Sequence, residues 1–280
     1  MHEVKIGTLY RQLPSDWNEL TGRQLVKVIA AESRWLSATG IPEEQKKHLL
    51  RLERLRILLN LPLGIFLAFT PIQIVQLHWL VKFLDSGFKG LTAQLLPRLR
   101  VPGIANCLRP ALFGPRERFR SLSFLEFIYA DTYFMSFTQK QTPEKLDRFV
   151  ACLYREKRWF HFIVKRLTSY GGDCRQEFNQ HLVERRAQLV ARLPLEVKLA
   201  VLSWYRGCRF ELEGEFPLVF SEGTQKKAGR SGWDGVLLGM SGHVINIEAT
   251  GRANIRNILA AMQQRFEQIE EQERRNNENN

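Results

Sequence analysis

Cysteine is sparse and scattered in this chain: four among 280 residues, Cys107, Cys152, Cys174 and Cys208, with no Cys-x-x-Cys pair. Such spacing predicts free, mostly buried thiols in a reducing compartment. The six histidines (His2, His48, His78, His161, His181, His243) show no helical two-His spacing and no cysteine neighbour at zinc-site distance. A metal centre would have to assemble from remote residues. There is no Walker-type glycine loop and no dinucleotide fingerprint. Gly239-Met-Ser241-Gly-His243 imitates a nucleophile elbow, but the tight turn needs glycine where His243 stands, so it reads as a helix C-terminus. Glu126 and Asp131, alone in an apolar stretch, must find an arginine or a hydrogen-bond donor, and structural pairing is the expected outcome. These absences predict a protein that is not an enzyme, with no catalytic, metal or cofactor-binding residues. Met1-His-Glu-Val-Lys5 has no apolar leader core, which places the expected site of action in the cytoplasm.

Acidic residues are also in deficit. The 41 Lys+Arg against 29 Asp+Glu leave a formal net charge of +12, suited to nucleic acid, an anionic membrane or an acidic protein. Three stretches carry the candidate nucleic-acid surface. One is the loop that holds Arg98, Arg100, Arg109, Arg116, Arg118 and Arg120. The second is Arg155-Glu-Lys157-Arg158-Trp159-Phe160, and the third is the linker with Lys226, Lys227 and Arg230. Trp159, Phe160 and Phe162 beside those cations are of a kind that stacks bases. The competing reading is that the aromatics pack the body and the cations are solvated. No helix-turn-helix, zinc-finger or RNA-recognition motif is legible.

Charge is missing altogether between Arg56 and Lys82, a run long enough to cross a bilayer. Asn60, Pro62, Gly64, Pro71, Gln73, Gln76 and His78 divide it into a helix end, a loop and a new helix. The expectation is core, and no membrane partner.

What is present is helical periodicity. An extended start (Val4, Ile6, Thr8, Tyr10 on one face) is followed by a helix from Gly22 to about Ser37, capped by Thr21, and by another from Pro42 to about Leu59. Thr70-Pro71 opens a helix ending near Gly87, and the proline-punctuated stretch 88–120 reads as irregular. Strong helices follow over 122–135, from Thr142-Pro143, over 175–192, and from Pro194 to Gly207, with 210–220 extended or looped. The fold class is all-α, mostly helical with at most a short edge strand or hairpin: a multi-helix globular domain of about nine or ten helices. Residues 1–222 form the predicted main domain, 223–232 a basic Gly-rich linker and 233–280 a C-terminal helical appendage with a frayed tail. In the closing helix Ile255, Ile258, Leu259, Met262, Phe266 and Ile269 recur on one face. With Trp233 of the short helix before it, this stripe is the candidate partner-binding surface, unless it closes the core of its own protein.

Four stretches resemble a known group: Leu13-Pro-Ser-Asp-Trp-Asn-Glu-Leu-Thr21, Phe124-Leu-Glu-Phe-Ile-Tyr-Ala-Asp131, Leu153-Tyr-Arg155 and Leu199-Ala-Val-Leu-Ser-Trp-Tyr-Arg-Gly207. They are similar to Bacteroidetes prophage proteins encoded among tail-morphogenesis genes. The end of the chain, from Gly232-Trp-Asp-Gly-Val-Leu-Leu onward, resembles the C-termini of tail-assembly chaperones, with Ser241-Gly242 where those often have Phe-Gly. The resemblance implies an assembly factor that binds a helical tail component, such as a tape-measure-like protein, without chemistry of its own. The alternatives are a basic nucleic-acid-binding accessory protein and a structural virion component.

Overall fold

The computed structural model describes residues 1–6, 9–61, 63–102, 111–159, 172–221, 232–241 and 246–278. Arg109, Phe160, Phe162, the linker cations Lys226, Lys227 and Arg230, Cys107 and His243 lie outside the described residues. The described chain is mostly helical, with twelve α-helices, a few 3-10 turns and two two-stranded sheets. It divides into two compact units, Met1–Leu96 with Pro194–Gly207, and Pro97–Leu193 with Cys208–Asn280. The division therefore falls at other places than the linker, and 233–280 clusters with 97–193.

In the first unit, β1 (His2–Ile6) pairs antiparallel with β2 (Leu9–Leu13), Val4 opposite Arg11. Helix α1 (Gly22–Ser37) starts at a capping box: the Thr21 hydroxyl accepts from the Gln24 backbone amide, and the Gln24 side-chain Oε1 accepts from the Thr21 backbone amide at 3.0 Å. Two orphan amides are thereby satisfied where the sequence announced it. Leu25, Val28 and Ile29 are buried, while Trp35 is half-buried and donates its indole N–H to Glu53 at 2.8 Å. Helix α2 (Glu43–Leu59) ends with Asn60 in the left-handed conformation. Its buried Arg54 pairs with Asp85 at 2.7 Å and with Glu32. Short α3 (Leu63–Leu67) and α4 (Pro71–Leu77) follow, α4 opened by a Thr70–Gln73 capping box. From His78 to Ser86 the chain tightens into a 3-10 helix, so the α-helix expected to reach Gly87 stops at Leu77.

The second unit begins with β3 (Arg98–Arg100) and β4 (Ala111–Phe113), paired antiparallel within the stretch read as irregular. The apolar helix is α5 (Phe124–Gln139), capped by Ser123, and α6 (Pro143–Leu153) packs on it. The helix expected over 175–192 is shorter. Its α-helical part, α7, covers Val183–Val190, and Arg175 instead sits in an antiparallel bridge with Lys157. Backbone pairing and the ion pairs described below outcompete local helix propensity there.

Helix α8 (Leu195–Glu215) supplies residues to both units and runs past Gly207, where the sequence suggested an end. The glycine is there for close approach: a Cβ at Gly207 would lie 2.2 Å from the Leu91 carbonyl oxygen and 2.6 Å from that of Phe88. Gly207→Ala is expected to cost about 1–3 kcal/mol from overpacking, more than the ~1 kcal/mol that alanine returns in helix propensity. A lowered urea midpoint checks this, and an unchanged or raised midpoint refutes it. The stretch 210–220, read as extended or looped, is the end of α8 and α9 (Pro217–Phe220). Then come α10 (Gly232–Ser241), α11 (Ile247–Arg252) and the closing helix α12 (Ile255–Glu278). Of the last two, only α12 was expected from the sequence. They are separated because the Phe124 amide donates to the Ala253 carbonyl and the Ile255 amide to the Leu122 carbonyl, which holds that point extended.

Candidate functional site

The charged groups with the least access to water in the second unit surround Glu126. This carboxylate, buried on α5, accepts from Arg155 at 2.9 Å and from Arg175 at 2.5 and 3.3 Å. Arg175 also donates to Asp173 at 2.8 Å, to the Leu153 carbonyl at 2.7 Å and to the Ser121 carbonyl at 3.1 Å. Arg186 on α7 pairs with Glu156 at 2.9 Å. Burial pushes the Arg155 guanidinium down to about 10, against the pull of Glu126, so it stays protonated at neutral pH. Burial raises the Asp173 carboxyl, but hydrogen bonds and attraction from Arg175 outweigh it and hold the group below its ordinary value. Among the described residues, Nε and Nη1 of Arg155 and both Nη atoms of Arg186 are buried without a hydrogen-bond partner. The Arg155 guanidinium lies 5.8 Å from the Phe178 ring centroid, a cation–π contact that offsets part of that cost.

The same residues pin together a small strand-built surface. The Phe113 and Arg155 amides and carbonyls exchange hydrogen bonds of 2.7 and 3.0 Å, while Arg158 donates to Cys174 and Gln176 to Glu156. The segment 155–158 is thus sandwiched between β4 and 174–176. In antiparallel pairs, residues opposite each other share a face. Arg98, Phe113 and Arg155 therefore stand in one row. Lys157 and Arg175 stand in the next, and the register continued by two residues sets Lys157 level with Ala111 and Arg100. Burial separates the two ends of this face: Arg155 and Arg175 are sealed, while Arg98, Arg100 and Lys157 are exposed. The indole of Trp159 follows them and is 78% exposed.

The other cations singled out from sequence fare differently. Arg118 is held by Glu211, Arg120 pairs with Glu117 at 3.2 Å, and Arg158 approaches Glu177 at 3.5 Å. Arg116 is exposed, and its guanidinium lies where a Cβ on Gly172 would be, 2.6 Å away. Arg155 is not a surface group at all. Its sequence neighbours Arg-Glu-Lys-Arg suggested a solvated run, but Arg155 is sealed against Glu126 and Phe178, and the half-buried Glu156, on the other face of the segment, pairs with Arg186.

The partner-binding stripe is spent within the protein. Ile255 and Leu259 are fully buried, Met262 nearly so, and Ile258 and Phe266 half-buried. The helix rests on α5 and α9, with the Leu218 amide donating to Gln263 at 3.1 Å. Only Ile269 stands out, beyond the packed part. Trp233 packs edge-on against Phe127 at 5.2 Å, with Phe124 and Phe220 also in ring contact. Its indole N–H donates to Asp131 at 2.9 Å, and Asp131 also accepts from Arg209 at 2.8 Å. Both acids of the apolar helix have therefore found donors.

The charge-free run that was expected to be core is instead largely on the surface of the first unit. Ile72 and Val75 of α4 are 71% and 61% exposed, Trp79 is 56% exposed, and Ile65 and Leu67 of α3 are exposed too. No residue of α4 is buried. Ile72, Val75 and Trp79 fall at i, i+3 and i+7, one side of a helical turn. The sequence signal was present in the interleaved Gln73, Gln76 and His78, which a core helix has little use for. Anchoring comes from the next turn, where Leu80, Val81 and Leu84 are buried.

No helix among the described residues is long and apolar enough to cross a membrane. No group of three or more His, Cys, Asp or Glu side chains among them could hold a metal ion. Cys152 and Cys208 are buried, and burial raises both thiols well above their ordinary range. Compared with protein families, with curated proteins and with solved structures, the chain finds no match.

Proposed function

We propose that this protein is a non-enzymatic docking protein that holds an apolar helical surface of a partner, acting in the bacterial cytoplasm as a tail-assembly factor. The tail setting comes from the sequence resemblance alone. One observation supports docking: the exposed apolar residues of α3 and α4, in a stretch without a formal charge from Ile57 to Val81, on a protein of net charge +12. Exposed apolar groups gathered in one place mark interaction surfaces more than do scattered ones. The spacing of Ile72, Val75 and Trp79 fits the ridges of a helical partner. The closing helix, whose stripe is covered, supplies no such face.

The test is a pull-down of the tagged protein from cells that also make the neighbouring virion genes, treated with nuclease. Recovery of a long helical protein is expected, and Ile72→Asp with Val75→Asp should abolish it. Both positions are exposed, so the double variant should keep its stability to within about 0.5 kcal/mol per site. Undiminished recovery by the double variant would refute this reading. So would loss of vesicle binding or of self-association as the only consequence, since the face then belongs to a membrane or a second copy.

A further inference from the structure

We infer that the exposed end of the strand-built face in the second unit, Arg98, Arg100 and Lys157, with Trp159 two residues beyond Lys157, binds the backbone and bases of a single-stranded nucleic acid. The cations are fixed by backbone pairing: β3 holds Arg98 and Arg100 two apart on one side, and the Phe113–Arg155 and Lys157–Arg175 bridges hold Lys157 on the same side. None of the three makes an ion pair with a carboxylate among the described residues. This separates them from Arg118, Arg120 and Arg158, which are engaged.

The alternation of β3, exposed–buried–exposed, anchors the strand by Leu99 and leaves both arginines in water. The Arg98 guanidinium lies 5.5 Å from the Phe113 ring centroid, which stiffens its stem without neutralising its charge. At the sealed end of the same face, Glu126, Asp173, Arg155 and Arg175 tie the segments that carry the cations to α5, so that little backbone ordering remains to be done on binding. Charges tracking a backbone next to an exposed indole are the combination that single strands select, because every base offers a π-face to stack. Duplex bases are already stacked and offer the indole nothing. This surface is independent of the apolar α3–α4 face, and either can fail alone.

The probe is a fluorescein-labelled oligothymidylate, followed by anisotropy as salt is raised from about 50 to 200 mM. Three phosphate contacts on a single strand predict a slope of about −2 in log affinity against log salt, or a loss of roughly 15- to 20-fold over that range. Replacing Arg98, Arg100 and Lys157 together by Gln should flatten the slope by about 2 units and leave the thermal midpoint unchanged, since all three side chains are in water. Trp159→Ala should weaken the oligonucleotide at least about fivefold and leave displacement by inorganic polyphosphate as it was. A triple variant that binds within twofold of the parent overturns the proposal. So does a Trp159→Ala protein with undiminished affinity, because the site would then be a general polyanion surface.

Discussion

Glu126→Gln is expected to destabilise the second unit by about 3–5 kcal/mol, the range seen when one member of a buried charge network is removed. The magnitude follows from what is left behind. Arg155, Arg175 and Arg186 are nearly inaccessible, whereas Asp173 and Glu156, their other carboxylate partners, are about a third exposed. Among the described carboxylate partners of these three arginines, Glu126 is therefore the one that is fully buried with them. Glutamine keeps the shape but not the charge, and its amide N–H groups would face guanidinium donors. Urea denaturation followed by tryptophan fluorescence reads the change, and a loss below about 1 kcal/mol would mean that water reaches the cluster. The neighbouring Asp173 adds a mild acid sensitivity. Its folded pKa is depressed below 3.8, so its contribution is present above that value and is lost as pH falls through the lower folded one.

Leu259→Asp is expected to cost on the order of 5 kcal/mol or more, comparable with the whole stability of a typical domain. Leu259 is fully buried where α12 meets the rest of the second unit, so a carboxylate there would lose its water. The milder Leu259→Ala should cost about 2–5 kcal/mol through the cavity it leaves. Ile269→Asp, on the same sequence stripe and 42% exposed, should change stability by no more than about 0.5 kcal/mol. Limited proteolysis and thermal melting compare the three. If Leu259→Asp melts like the parent and loses only a partner, then α12 detaches in solution, and the closing helix, not α4, is the docking element. The pairing of an Ile72 and Val75 variant that folds but does not dock with a Leu259 variant that fails to fold separates surface from core.

The helix starts were legible because capping is local. Thr21 and Thr70 each sit three residues before a glutamine, and Ser123 three before Glu126, so the chain itself supplies the acceptor for the first free amides. The extended character of the start was visible in its alternation, though the pairing of His2–Ile6 with Leu9–Leu13 was not, and the need of Glu126 and Asp131 for partners followed from the cost of an unpaired carboxylate among Phe, Ile and Leu.

Gly207 was misleading. Sequence alone makes a glycine after an apolar helix a stop signal, and only the carbonyls of Phe88 and Leu91, more than a hundred positions away, show that the helix must continue without a side chain there. Likewise Arg155, Lys157 and Arg158 look equivalent in the sequence. Tertiary packing decides that the first is sealed against Glu126, the second exposed and the third loosely paired.

The sequence by itself thus determined the helical class, the capped starts and the surplus of positive charge, all set by neighbours within a turn or two. The tertiary structure alone decided which apolar stripe is covered and which is bare. Ile255, Leu259 and Met262 have the same periodicity as Ile72, Val75 and Trp79, and periodicity defines a face without saying what lies against it. Burial depends on which distant segment arrives: α5 and α9 cover the first stripe, and α4 buries none of its own residues.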